Sequence, residues 1–228
     1  MEYARKEVTR MILKINGDII NNDWKDVYNW FGIESTCPLD VQNAIASLPK
    51  GESLEVKINS GGGMVTAGQE IYSMLRARKD VDIEVESLAA SAASIIAMAG
   101  HCTISPIGML MIHDVSGWQA GNHRDLSKMA DTLRQYDKAL AQAYVEKTGK
   151  TLDEILNLMD KETWLTAQRA LELGFVDGIT EPVNEGLTNG TLKVTPEMVA
   201  QYRAAMENQK QREAEKAELL KDLDSFGS

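Results

Sequence analysis

Histidine, cysteine and long apolar runs are what this sequence has least of. It carries three histidines and two cysteines, Cys37 and Cys102. Two cysteines make no disulfide framework, and with three scattered histidines they offer no tetrahedral zinc set, so no metal and no cofactor is expected. No uninterrupted apolar stretch approaches the roughly 20 residues that a membrane-spanning helix needs. The stretch Met1 to Arg10 mixes charged and apolar residues and lacks the apolar region of a secretory signal, which predicts a cytoplasmic protein with no membrane partner. Basic residues are outnumbered by acidic ones, 24 to 34, for a formal net charge of -10. An acidic surface repels phosphate, and no local basic patch offsets it, so nucleic acid is not an expected partner.

What is present is ordinary globular composition, 43% hydrophobic and 25% charged over 228 residues. That excludes disorder of the whole chain. The length is long for one domain and short for two. Met11 to Ile20 reads as a strand, and Val41 to Leu48 carries apolar residues at helical spacing. Ser53 to Ile58 alternates as a strand and breaks at Asn59-Ser60-Gly61-Gly62-Gly63. A helix over Ala67 to Arg78 follows, then a strand over Asp82 to Ser87. Ser91 to Ala99 reads as a helix of small residues closed by Gly100. After a turn at Ser105-Pro106-Ile107-Gly108, Met109 to His113 is a further short apolar strand. The alternation of strands and helices predicts an α/β fold with parallel strands and crossover helices.

A long helix is expected over His123 to Lys147. Its stripe of Met129, Leu133, Tyr136, Leu140 and Tyr144 marks a packing face, against the body or another subunit. Shorter helices over Leu152 to Leu158 and Ala167 to Leu173 flank a turn with Trp164. Past Pro182 the composition turns polar, and Pro196 to Leu223, with its mixed charge, reads as a solvated or partner-induced helix.

Four places carry residues suited to chemistry. Three consecutive glycines after a strand turn several N–H groups toward one point, which suits an oxyanion, a phosphate or a peptide backbone, or is merely a flexible turn. Ser91 stands at a helix entry, where unpaired N–H groups can receive a developing oxyanion, although a serine there is ordinarily a plain N-cap. Ser94, one turn further in, is its rival and reads as a packing serine. His113 closes an apolar strand and has the chemistry of a general base for a serine. His101 and His123 read as a helix cap and a solvated residue. Asp160 and Glu162 offer a carboxylate to orient such a base.

Together the segments KINSGGGMVTAGQEIYSML, LAASAASIIAMAG, MLMIH and ETWLTAQRALELGFVDGI, in this order, resemble the Clp peptidase family of ClpP-like, S14-type serine peptidases. Their wording is closest to its phage and prophage branch. The resemblance runs from Ile12 to Ile179. It implies a ClpP/crotonase-like stack of ββα units, with the long helix as a protruding handle between subunits. Residues 1–182 would form the peptidase domain, and 183–228 a polar linker and charged helical tail.

The family's nucleophile lies nine residues before the glycine that closes the next helix, which places it at Ser91 rather than Ser94. Its Met-Ile-His histidine is His113. Its oxyanion donors fall on the backbone N–H groups of Gly63 and Ala92, and Gly61 stands where the family carries proline. The third position, an aspartate two residues before an aromatic, holds Glu162 here, with Asp160 as the alternative. The implied activity is a serine endopeptidase that forms an acyl-enzyme on a protein or peptide substrate.

The implied assembly is a ring-shaped homo-oligomer, seven-fold in symmetry, with its sites facing inward. The phage wording points to prohead or capsid maturation, with capsid or scaffold protein as partner and the prohead as location. The alternatives are the proteolytic subunit of an ATP-dependent protease working with a ring Clp ATPase, and a catalytically silent assembly protein. A crotonase-type acyl-CoA fold shares the oxyanion geometry but does not need Ser91 with His113.

Overall fold

Parallel strands laid side by side dominate the computed structural model, which describes residues 10–181 and 200–207. In chain order the elements are β1 (Arg10–Ile19), α1 (Lys25–Phe31), β2 (Ser35–Thr36), α2 (Pro38–Ser47), β3 (Ser53–Gly63), α3 (Val65–Arg76), β4 (Val81–Ala90) and α4 (Ala92–Ala97). There follow β5 (His101–Ile104), β6 (Met109–Ile112), α5 (His123–Thr148), α6 (Leu152–Asp160), β7 (Thr163–Thr166), α7 (Ala167–Glu172) and β8 (Gly178–Ile179). The α/β expectation holds. The chain divides into two units after Glu181. In the second unit residues 200–207 are helical and exposed, and the rest of the expected tail helix lies outside the described residues.

The sheet runs β2-β1-β3-β4-β5-β8, all parallel, and β6 and β7 branch from it. The branch arises on β4. Its first half, Asp82 to Val85, pairs with β5, and its last three residues, Leu88 to Ala90, pair with β6. One strand thus feeds two neighbours in turn, and its carboxyl end is carried out to β6. Strand β7 returns antiparallel on β6, with Ile112 opposite Thr163. The turn expected around Trp164 is therefore a strand.

Alternation explains the core. Along β3, Leu54, Val56, Ile58, Ser60 and Gly62 are buried while their neighbours are not, the two-residue period of a sheet with one side turned to the core. Leu54, Val56 and Ile58 join Ile15, Ile19, Ile83, Val85, Ile71 and Leu75 in a single cluster. Burying each such side chain contributes about 1.5–3 kcal/mol. The six residues of α4 are all buried, packed against β3, β4 and α3. Small side chains permit this: a Cβ on Gly68 of α3 would stand 3.0 Å from the Ala92 Cβ.

Strand β3 also runs further than its pattern implied. It continues through the glycines and keeps its pairing with β1 as far as Ile19 opposite Gly63, across a bulge between Asn16 and Asp18. Gly62 and Gly63 manage this at φ 100° and 146°, which a side chain would resist.

Candidate active site

Every expected donor and acceptor of the site, apart from the acid, arrives at the carboxyl edge of the sheet. Ser91 joins β4 to α4. Its backbone stands at φ 53° and ψ -123°, and its side chain makes no cap to the helix it precedes. The plain N-cap reading is thereby excluded. A non-glycine residue held there stores about 1–3 kcal/mol of strain. Neighbouring structure enforces it: the Ser91 N–H donates to the Met111 carbonyl at 3.0 Å, tying the turn to β6. So held, the Ser91 Oγ lies 2.8 Å from His113 Nε2.

Ser94 has another occupation. It is fully buried, its hydroxyl donates to the Ser91 carbonyl at 2.7 Å, and it lies 2.7 Å from the Tyr144 hydroxyl. Tyr144 is itself buried against Phe175, and burial drives its phenol well above the ordinary range. Ser94 therefore braces the turn that presents Ser91.

The glycine turn lies directly against that serine. A Cβ on Gly62 would come within 2.7 Å of both the Ser91 Cβ and the Ala90 carbonyl oxygen, so glycine is required for close approach as well as for φ. Ser60 beneath it donates to the Gly17 carbonyl at 2.6 Å and accepts the Gly62 N–H at 3.1 Å, locking the turn to β1. Gly63, Ser91, Ala92 and His113 line one cavity of about 60 Å³, closed at the back by Leu140, Tyr144 and Met159. Ala92 is the first residue of α4, where a helix leaves N–H groups without internal partners.

The two candidate acids do not meet His113. Glu162 sits one step past the last β6–β7 pair, at φ 47°, and its carboxylate accepts from the Trp164 indole N–H at 3.2 Å. Asp160 ends α6 and is exposed. No hydrogen bond joins either carboxylate to the His113 ring among the described residues. Two acids that the sequence reading passed over do gather behind the histidine. Asp137, buried on α5, accepts the Val115 N–H at 2.7 Å and so anchors the segment that follows His113. Asp114 has its carboxyl raised above the usual range by burial, then by the charges of Asp137 and Asp160, with His113 pulling the other way. An acid at the buried edge of an otherwise apolar helical stripe was the signal for Asp137.

The remaining histidines and both thiols stand apart. His101 opens β5, exposed, with Nδ1 3.5 Å from an Asp82 oxygen, and His123 opens α5. Cys37 and Cys102 are free and buried, and burial pushes the Cys102 thiol up to about 12. No group of acidic, cysteine and histidine side chains with metal-binding geometry occurs among the described residues.

The family model described as Clp protease matches residues 41–183. Over 128 residues the chain is 35% identical to the ATP-dependent Clp protease proteolytic subunit 1 of Leifsonia xyli subsp. xyli (strain CTCB07). The matched stretch is 54% of this chain and spans 65% of that protein's length.

Proposed function

The chain belongs to the Clp protease family, a family of serine-type peptidases, and from that premise we propose that it is the proteolytic subunit of a Clp-type protease. The observation that carries the reading is the 2.8 Å contact between Ser91 Oγ and His113 Nε2, made by a serine in a strained strand-to-helix turn. His113 takes the hydroxyl proton, and Ser91 attacks a peptide carbonyl. The carbonyl oxygen, now an anion, is received by the N–H groups of Gly63 and Ala92. His113 then gives its proton to the leaving amine. Water repeats the sequence on the acyl-enzyme and frees the serine. Each oxyanion donor contributes about 3–4 kcal/mol to lowering the barrier.

For the third member we favour Asp160 over Glu162. The Glu162 carboxylate is taken by Trp164. Asp160 directly follows Met159, which lines the Ser91–His113 cavity, and its charge reaches Asp114 beside the histidine.

The relative's name speaks for work with an ATPase, and it supports the ATP-dependent reading better than capsid maturation, which rests on the wording of the segments alone. The assembly that accompanies the reading is a ring of identical subunits. Labelling by a fluorophosphonate, with cleavage of an unfolded protein measured in parallel, tests it. Wild type labels, Ser91→Ala does not, and its cleavage falls on the order of 10⁶-fold. Asp160→Asn slows labelling far more than Glu162→Gln. Undiminished labelling of Ser91→Ala would move the nucleophile elsewhere.

A further inference from the structure

We propose that the groove at the carboxyl ends of β1 and β3, walled by Trp24 and Tyr28, receives a lysine or arginine side chain of the peptide substrate. The inference rests on the peptidase reading and names a specificity element for it. The groove encloses about 450 Å³ and is floored by Gly61, Gly62 and Gly63. Gly63 also lines the Ser91–His113 cavity, so the two share the residue assigned to the oxyanion as a common wall. A peptide with its carbonyl at Gly63 has a neighbouring side chain within reach of the groove.

The aromatic wall has no packing duty that would explain it. No residue of α1 or of the 3₁₀ turn before it is buried. Trp24 is 49% exposed. Yet the segment is firmly placed: Lys25 donates to the Ser35 carbonyl at 2.7 Å and to Asp40 at 2.8 Å. Residues 20–28 also lie outside the stretch that the family model matches, 41–183.

The chemistry of the lining selects a cation. Asp18 supplies a carboxylate, positioned by a hydrogen bond from the Tyr28 hydroxyl at 3.2 Å, and among the described residues no basic side chain lines the groove. A long basic residue lays its methylenes along Ile20 and Met64, sets its charge over the indole face and reaches the carboxylate. A purely apolar residue would cover the Asp18 carboxylate without pairing it, which costs free energy. The net charge of -10 adds a field of the same sense.

The full chain is assayed with fluorogenic peptides that differ only in one residue beside the scissile bond: Arg, Lys, Leu, Phe or Glu. The expected result is kcat/KM roughly tenfold higher for Arg or Lys than for Leu at one such position, with a preference that weakens as salt rises. In Asp18→Asn and in Trp24→Ala the Arg-to-Leu ratio falls toward one, the Leu peptide being each variant's internal reference. Wild type that labels with fluorophosphonate yet shows no basic preference overturns the subsite and leaves the peptidase reading standing. A preference for Phe or Leu that Trp24→Ala removes and Asp18→Asn does not also overturns it, by making the groove apolar. Wild type that neither labels nor cleaves overturns the peptidase reading itself.

Discussion

Ser91 pays in backbone strain for the direction its hydroxyl points. At φ 53° a glycine is at ease and any side chain is not. Ser91→Gly is therefore expected to unfold about 1 kcal/mol harder than Ser91→Ala, in urea at neutral pH, while both are inert toward fluorophosphonate. Equal stability of the two would mean that the turn carries no strain. The three glycines opposite separate by the same logic. A Cβ on Gly62 meets Ser91 and a Cβ on Gly63 meets the Ile19 carbonyl at 2.2 Å, whereas Gly61 has open space and no positive φ. Gly62→Ala is expected to slow fluorophosphonate labelling at least a hundredfold by displacing the nucleophile, a loss on the scale of one oxyanion donor. Gly61→Ala is expected to raise the melting temperature slightly, through a less flexible unfolded chain.

Among the elements, α5 does two jobs. Its N-terminus is closed by a capping box between Asn122 and Asp125, and its end by Gly149 in the left-handed region. The first half is largely exposed, while Leu140, Ala141, Ala143 and Tyr144 join the core behind Ser91. Near its end Lys147 bonds Asp177 and donates to the Gly100 carbonyl at 2.8 Å, and Asp177 also accepts the Cys102 N–H at 2.7 Å. Burial acts to raise the Asp177 carboxyl, but Lys147 and the Cys102 N–H outweigh it and leave it below the usual range. A depressed carboxyl stabilises the fold above its unfolded pKa, and that share is lost as pH falls through its folded value. Asp177→Asn is expected to cost about 1–2 kcal/mol at pH 7, held to that range by the partial exposure of the carboxylate, and less below about pH 4. Urea titrations at both pH values check this, and equal losses would assign the effect to packing instead.

For the molecule as a whole, the exposed half of α5 is the surface on which the proposed ring is tested. Leu126 is 47% exposed there, and Met129, Leu133 and Tyr136 are half-buried in a single subunit. Ring formation would cover this stripe. Light scattering at micromolar concentration is expected to give a mass several times 25.2 kDa. Replacing Leu126 and Leu133 together by Lys is expected to shift it toward the monomer. A monomer in the wild type would count against the ring, though not against the chemistry at Ser91.

Periodicity alone disclosed most of this architecture. The two-residue rhythm of SLEVKI, the small residues from Ser91 to Gly100 and the long stripe of α5 each state their own structure, because burial imposes a local repeat. So did the candidate hydroxyl and imidazole, whose motifs are short and contiguous. Elements as short as β2, β5 and β8 have no rhythm of their own, and β3 outruns its apolar pattern because glycines can stay paired where side chains cannot. The acids were the least legible. Whether a carboxylate at 160 or 162 faces a histidine at 113 depends on where α6 stops and how β7 turns back on β6, and the gathering of Asp114 and Asp137 depends on where α5 lies. Those are distances between remote stretches of chain. Such distances are decided when the core packs, since only then do β4, β6 and the helices behind them take up fixed positions relative to one another.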